Sequence, residues 1–195
     1  MRAFLRSHPR QGYAALFAAS AGAIKTLAAD DRHLGADTPG FFGVLHTWGR
    51  QLQFHPHLHY VVAGGGFASA EGRWQAADRG FFLPVRALAP IFRAKFRDAI
   101  DVAGLAAEID AAVWSVNWNV HCQPVGDAAA SIEYLSRYVF KVAISESRTR
   151  LRCDITFNCA SVFSFASFMS ITMSTMIDHP LRLLQAHTML DKTHR

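Results

Sequence analysis

Two short apolar runs set the limits on what this chain can fold into. Residues 41–48 (FFGVLHTW) and 57–63 (HLHYVVA) have the length of strands, are separated by a segment holding Gly49 and Pro56, and are followed by Gly64, Gly65 and Gly66. Runs of this kind bounded by turn residues predict two strands joined as an antiparallel ribbon. A lone ribbon cannot bury a core in water, so other segments must pack on it. Tyr13, Leu16, Phe17, Ile24 and Leu27 recur at helical spacing, which predicts an amino-terminal helix. Residues 86–100 place Leu88, Ile91, Phe92, Phe96 and Ile100 on one helical face, with Pro90 in the first turn. Between 114 and 122, Trp114, Val116, Trp118, Val120 and Cys122 alternate with polar residues, the period of a half-buried strand. Residues 128–143 predict a last helix, where Glu133 precedes Arg137 by one turn. The order is helix, strand, strand, helix, strand, helix. It predicts an α+β fold, a mainly antiparallel sheet with helices packed on it.

Charge and composition narrow the function. Twenty Lys and Arg oppose 15 Asp and Glu, a net charge of +5 in 195 residues. Sixteen of the 20 bases are Arg, whose planar fork suits phosphate, so nucleic acid is the partner class the charge favours. The length is short of the ~250 residues typical of a complete (β/α)₈ barrel. Cys122, Cys153 and Cys159 form no Cys-x-x-Cys pair, which leaves no zinc ribbon or disulfide framework and points to a reducing cytoplasm. Arg2, Arg6 and Arg10 ahead of an Ala-rich stretch imitate a secretory signal, but the helical pattern runs on through Lys25. Residues 155–177 carry no charge, yet five Ser, three Thr and one Asn among them argue against a membrane span. All 13 glycines lie at or before Gly126, whereas four of the five methionines follow residue 168. This shift predicts a folded domain over 1–148 and a divergent tail over 149–195 that stands outside it.

The chemistry concentrates in FHPHLHYVV, residues 54–62. Side chains two apart on a strand share a face, so His57 and His59 form a two-point metal grip while Leu58 and Tyr60 point into the opposite layer. A surface strand rich in histidine would show the same spacing. Tyr134 and Tyr138 are four apart on the predicted helix and so share a face, where half-buried packing residues would also fit. A phenol of pKa near ~10 becomes a nucleophile only when it or its electrophile is activated, and a metal held by the histidines would polarise a phosphodiester for such an attack.

Four ordered blocks carry a family resemblance: residues 46–66 (HTWGRQLQFHPHLHYVVAGGG), 82–96 (FLPVRALAPIFRAKF), 118–126 (WNVHCQPVG) and 134–145 (YLSRYVFKVAIS). Together they resemble the two-tyrosine rolling-circle insertion-sequence transposases of the HUH endonuclease superfamily. The resemblance implies a divalent cation, Mg²⁺ or Mn²⁺, on the two-histidine strand. It also implies cleavage of single-stranded DNA at transposon ends through a 5′-phosphotyrosine link that leaves a free 3′-hydroxyl. Carried over by position, His57 and His59 match the metal ligands, and Tyr134 and Tyr138 the catalytic tyrosines. Such sites usually have a third ligand; His46 is the best candidate, with His55 behind it. Arg137 and Lys141, one turn apart on the tyrosine helix, and Arg93 and Arg97 on the helix at 86–100 are the expected phosphate contacts.

Relatives of this kind usually have an upstream Cys-rich zinc module and a further strand beside the two-histidine strand, and they continue past the point near Ser147 where the resemblance ends. The expectation is a truncated catalytic domain that lacks the usual first strand and nicks DNA poorly. The other reading is an inactive remnant that binds single-stranded DNA or interferes with a full-length transposase. A cupin-like site would need a Glu soon after the histidine pair, and Glu71 is too distant; a metallo-hydrolase would need an Asp, and none precedes Asp78.

Overall fold

The computed structural model describes residues 1–49, 52–78, 82–126 and 168–175. In chain order these form α1 (Arg2–Ser7), α2 (Pro9–Ala28), β1 (Thr38–Trp48), β2 (Phe54–Ala68), β3 (Arg73–Ala76), α3 (Val85–Val102), a 3₁₀ turn (Ala106–Glu108), α4 (Ala112–Ser115), β4 (Asn119–Gly126) and β5 (Phe168–Ser174). Among the described residues the strands make one sheet in the order β1-β2-β5-β4, with β3 paired to the far end of β2. Every pairing is antiparallel, so the α+β architecture read from the sequence is the one observed.

The helices cover one face of the sheet. On α2, Ala15, Leu16, Ala19, Ala23, Ile24 and Leu27 are buried, and the small residues among them let α3 approach closely. From α3 come Leu88, Phe92, Phe96 and Ile100, and from β2 Leu58, Tyr60 and Val62, all in one core. Tyr60 keeps its phenol satisfied at depth. Its oxygen lies 2.6 Å from Ser20 Oγ, and Ser20 Oγ in turn donates to Leu16 O at 2.6 Å. With its one hydrogen spent on the carbonyl, Ser20 accepts the Tyr60 O–H. The Tyr60 ring lies over Gly43, its cross-strand partner, where a Cβ would collide with it.

Several expectations need correction. Gly64, Gly65 and Gly66 lie inside β2 rather than in a turn after it. At Gly66 a Cβ would stand 2.8 Å from Ala36 Cβ and 3.2 Å from Pro39 Cα, and at Gly65 one would collide with the Gln75 carbonyl oxygen, so these two serve close approach of neighbouring chain segments. Pro90 sits within α3, which begins at Val85, and not in its first turn. The run 114–122 is divided: α4 ends at Ser115 and β4 begins at Asn119. The alternating run thus spans a helix end and a link before the strand begins, with Trp114 on α4 and Trp118 following an extended Val116. Their rings stack 6.0 Å apart, and Trp118 also meets Phe92 at 5.0 Å.

The largest correction concerns the tail. Residues 168–174, expected outside the fold, form the strand between β2 and β4, with Ile171 and Met173 fully buried in the core. Neither edge of β2 is therefore left open beside the histidines. From His57 to Ala63 the strand has β1 on one side and β5 on the other. The predicted helix at 128–143 and the rest of the tail lie outside the described residues. No helix among the described residues is long and apolar enough to cross a membrane.

Candidate metal centre

Strand alternation fixes the site. Because Leu58, Tyr60 and Val62 point into the helix layer, His57 and His59 project from the opposite face of the sheet. His46 is the Cα partner of His57 across the β1–β2 ladder, which places its side chain on that same face. The ring centroids of His46 and His57 are 5.5 Å apart, those of His46 and His59 4.9 Å, and those of His57 and His59 4.7 Å. One nitrogen from each of the three falls within 4.8 Å of the others. Nitrogens sharing an ion at bonds of about 2.1 Å stand roughly 3 Å apart, so modest rotations of the rings close the set around a cation. Three imidazoles on a two-stranded ribbon thus fit a divalent ion. His55 continues the row, its ring 5.2 Å from that of His57.

Hydrogen bonds orient two of these rings. His57 Nδ1 lies 2.6 Å from the carbonyl oxygen of His55, and His59 Nδ1 lies 3.1 Å from Thr172 Oγ1. Ser174 Oγ is 3.3 Å from His55 Nε2. Thr172 and Ser174 stand directly opposite His59 and His57 in the β2–β5 ladder. Exposed His121 on β4 is in turn the partner of Thr172, in the same cross-strand row as His59.

Burial keeps His59 neutral. Desolvation first, then the neighbouring His57 and His46, push its pKa from 6.5 down to about 3. Above pH 6.5 both the folded and the unfolded chain hold this imidazole uncharged, ready to bind a metal. Between 6.5 and about 3 the unfolded chain takes up a proton that the native site refuses. The metal-free protein should therefore lose stability as pH falls through that window. Denaturant melts between pH 7 and 4 in a chelating buffer check this, and a flat profile would contradict it.

The remaining predicted residues are placed differently. Arg93 and Arg97 belong to α3, which packs on the Leu58 and Tyr60 side of the sheet, so the structure does not bring them to the histidines. Arg93 donates to Val116 O at 2.6 Å, which ties α3 to the segment before β4. The Arg97 guanidinium lies 5.7 Å from the Trp114 ring centroid and its Nε lies 4.0 Å from an Asp101 carboxylate oxygen. Tyr134, Arg137, Tyr138 and Lys141 lie outside the described residues. Thr172 and Ser174 were missed by the sequence reading, although Ser170, Thr172 and Ser174 alternate with Met169, Ile171 and Met173 as a half-buried strand should.

Comparison with known proteins adds ancestry to this geometry. Residues 40–160 match the family model Y2_Tnp, described as "Putative transposase". The "Putative transposase y4qJ" of Sinorhizobium fredii (strain NBRC 101917 / NGR234) is 39% identical over 70% of this chain and 39% of its own length. The "Transposase for insertion sequence element IS801" of Pseudomonas savastanoi pv. phaseolicola is 30% identical over 56% of this chain and 30% of its own. This chain thus spans well under half the length of either relative. No solved structure gives a significant match. The matched segment contains all three clustered histidines and covers most of the sheet, and by that match the chain belongs to the Y2_Tnp transposase family.

Proposed function

We propose that this chain carries the catalytic core of an HUH-type rolling-circle transposase, which nicks and rejoins single-stranded DNA at transposon ends through a 5′-phosphotyrosine link. The observation that carries this reading is the convergence of His46, His57 and His59 on one face of the sheet. In this role the three imidazoles hold Mg²⁺ or Mn²⁺, the ions suited to phosphate oxygens. Held there, such an ion would supply Lewis-acid polarisation of the scissile phosphate.

The protein's own groups supply the rest. The Tyr134 or Tyr138 phenolate attacks phosphorus in line, a phosphorus–tyrosine oxygen bond forms, and the bond to the 3′-oxygen breaks. That oxygen leaves as a 3′-hydroxyl after taking a proton, and the 5′-phosphate stays on the tyrosine. The second tyrosine supports a second transfer. Arg137 and Lys141 neutralise backbone phosphates near the tyrosines. Arg97 beside Trp114 offers a cation and a ring to more distant DNA on the helix side of the sheet.

The test is a labelled pool of single-stranded oligonucleotides incubated with the protein and Mn²⁺, resolved on a denaturing gel. A covalent adduct should form that needs the metal and disappears in the Tyr134→Phe, Tyr138→Phe double variant, while DNA binding changes little. An adduct that survives the double substitution overturns the tyrosine assignment. Binding without any adduct overturns the enzymatic reading in favour of a DNA-binding remnant.

A further inference from the structure

We propose that Thr172 on β5 is a positioning residue for the histidine cluster, its hydroxyl accepting a hydrogen bond from His59 Nδ1 so that Nε2 becomes the nitrogen that binds metal. This rests on the metal reading above. A neutral imidazole carries one N–H and one lone pair, and whatever holds the first decides where the second points. For His57 the partner leaves no choice. The His55 oxygen at 2.6 Å is a carbonyl, which only accepts, so Nδ1 bears the hydrogen and Nε2 the lone pair. For His59 the equivalent partner is Thr172 Oγ1 at 3.1 Å, a hydroxyl able to donate or accept. Donation would occupy the Nδ1 lone pair and put the hydrogen on Nε2, leaving no nitrogen of His59 able to join His57 on an ion. Acceptance gives both histidines the same tautomer.

Register imposes the contact. Thr172 is the Cα partner of His59 in the β2–β5 ladder, and a slip of one residue would set Ile171 or Met173 there instead. On the same strand Ser174 Oγ lies 3.3 Å from Nε2 of His55, the residue whose carbonyl orients His57. Thr172 lies beyond residue 160, where the family match ends. The set of the metal ligands thus depends on a segment outside the matched transposase sequence.

The experiment compares the 195-residue chain with its Thr172→Val and Thr172→Ser variants. It reads Mn²⁺ affinity by titration calorimetry, the His59 tautomer by long-range ¹⁵N–¹H NMR of the metal-free protein, and the melting temperature. Thr172→Val keeps a β-branched shape without the hydroxyl and should weaken Mn²⁺ binding by about 10–100-fold, as is usual for a lost partner of a ligating histidine. It should also shift the His59 tautomer, and Thr172→Ser should restore both. Thr172→Ala carries the same expectation should the Val variant not fold. An unchanged affinity or an unchanged tautomer in the variant overturns the proposal while the metal reading stands. A wild type that takes up no Mn²⁺ overturns the metal reading itself, and the proposal with it.

Discussion

A chain cut after residue 148 should fail to show a cooperative thermal transition. The cut removes β5, the strand hydrogen-bonded to β2 on one side and to β4 on the other. It therefore strips the His57–Ala63 edge of β2 and detaches β4 from the sheet. It also withdraws Ile171 and Met173, each 0% exposed, from the core that α2 and α3 cover. Burying two such side chains contributes about 1.5–3 kcal/mol apiece. The unpaired backbone groups of two strands add to that loss, against a total stability for domains of this kind of about 5–15 kcal/mol. The point version of the test is Ile171→Ala with Met173→Ala, at about 2–5 kcal/mol each. Circular dichroism melts decide the matter: a trimmed chain that melts like the intact one would place β5 outside the stable fold.

That outcome bears on what the sequence could reveal. β1 and β2 were legible because their partners follow within a few residues and glycine and proline bound their runs. The core face of α3 was legible because Leu88, Phe92, Phe96 and Ile100 keep one period throughout. β5 was not, for two reasons. Its alternation of Met and Ile with Ser and Thr is brief and embedded in an uncharged tract of the same residue types. Its partners, too, lie more than 40 residues before it, so no local turn announces the pairing. The division of residues 114–122 between α4 and β4 was hidden by aromatic size. Trp114 on α4 and Trp118 just beyond it pack their rings against Phe96 and Phe92, so large apolar residues at even spacing mark the core without marking the element.

The histidine cluster was more legible than the fold around it. The spacing of His57 and His59 determines their shared face once β2 exists, and the adjacency of β1 makes His46 their neighbour. Spacing says nothing of what orients the rings. The His55 carbonyl that holds His57 belongs to backbone conformation, and the Thr172 hydroxyl near His59 belongs to a strand 113 positions away. Arg93 illustrates the converse. A basic residue on an amphipathic helix reads as a phosphate contact, yet here its guanidinium is directed to the Val116 carbonyl.

Replacing His57 and His59 together by Ala should reduce Mn²⁺ affinity by more than about a thousandfold and abolish any metal-dependent DNA adduct. Loss of a group that merely supports a ligating histidine costs about 10–100-fold, and here two of the three proposed ligands disappear. His46 alone would remain, and one imidazole on an open sheet face competes poorly with water for a hard ion. The fold should survive. Leu58 and Tyr60, which alternate with the two histidines, keep their places in the core. The substitution also removes the buried imidazole that resists protonation, so the stability lost by the wild type between pH 6.5 and about 3 should be largely recovered in the double variant. That recovery separates a correctly folded, metal-blind protein from a damaged one. His46→Ala alone should weaken Mn²⁺ binding while leaving some of it, as expected for one ligand of three. Calorimetric isotherms that coincide for the wild type and the double variant would show that the cation, if bound at all, sits elsewhere.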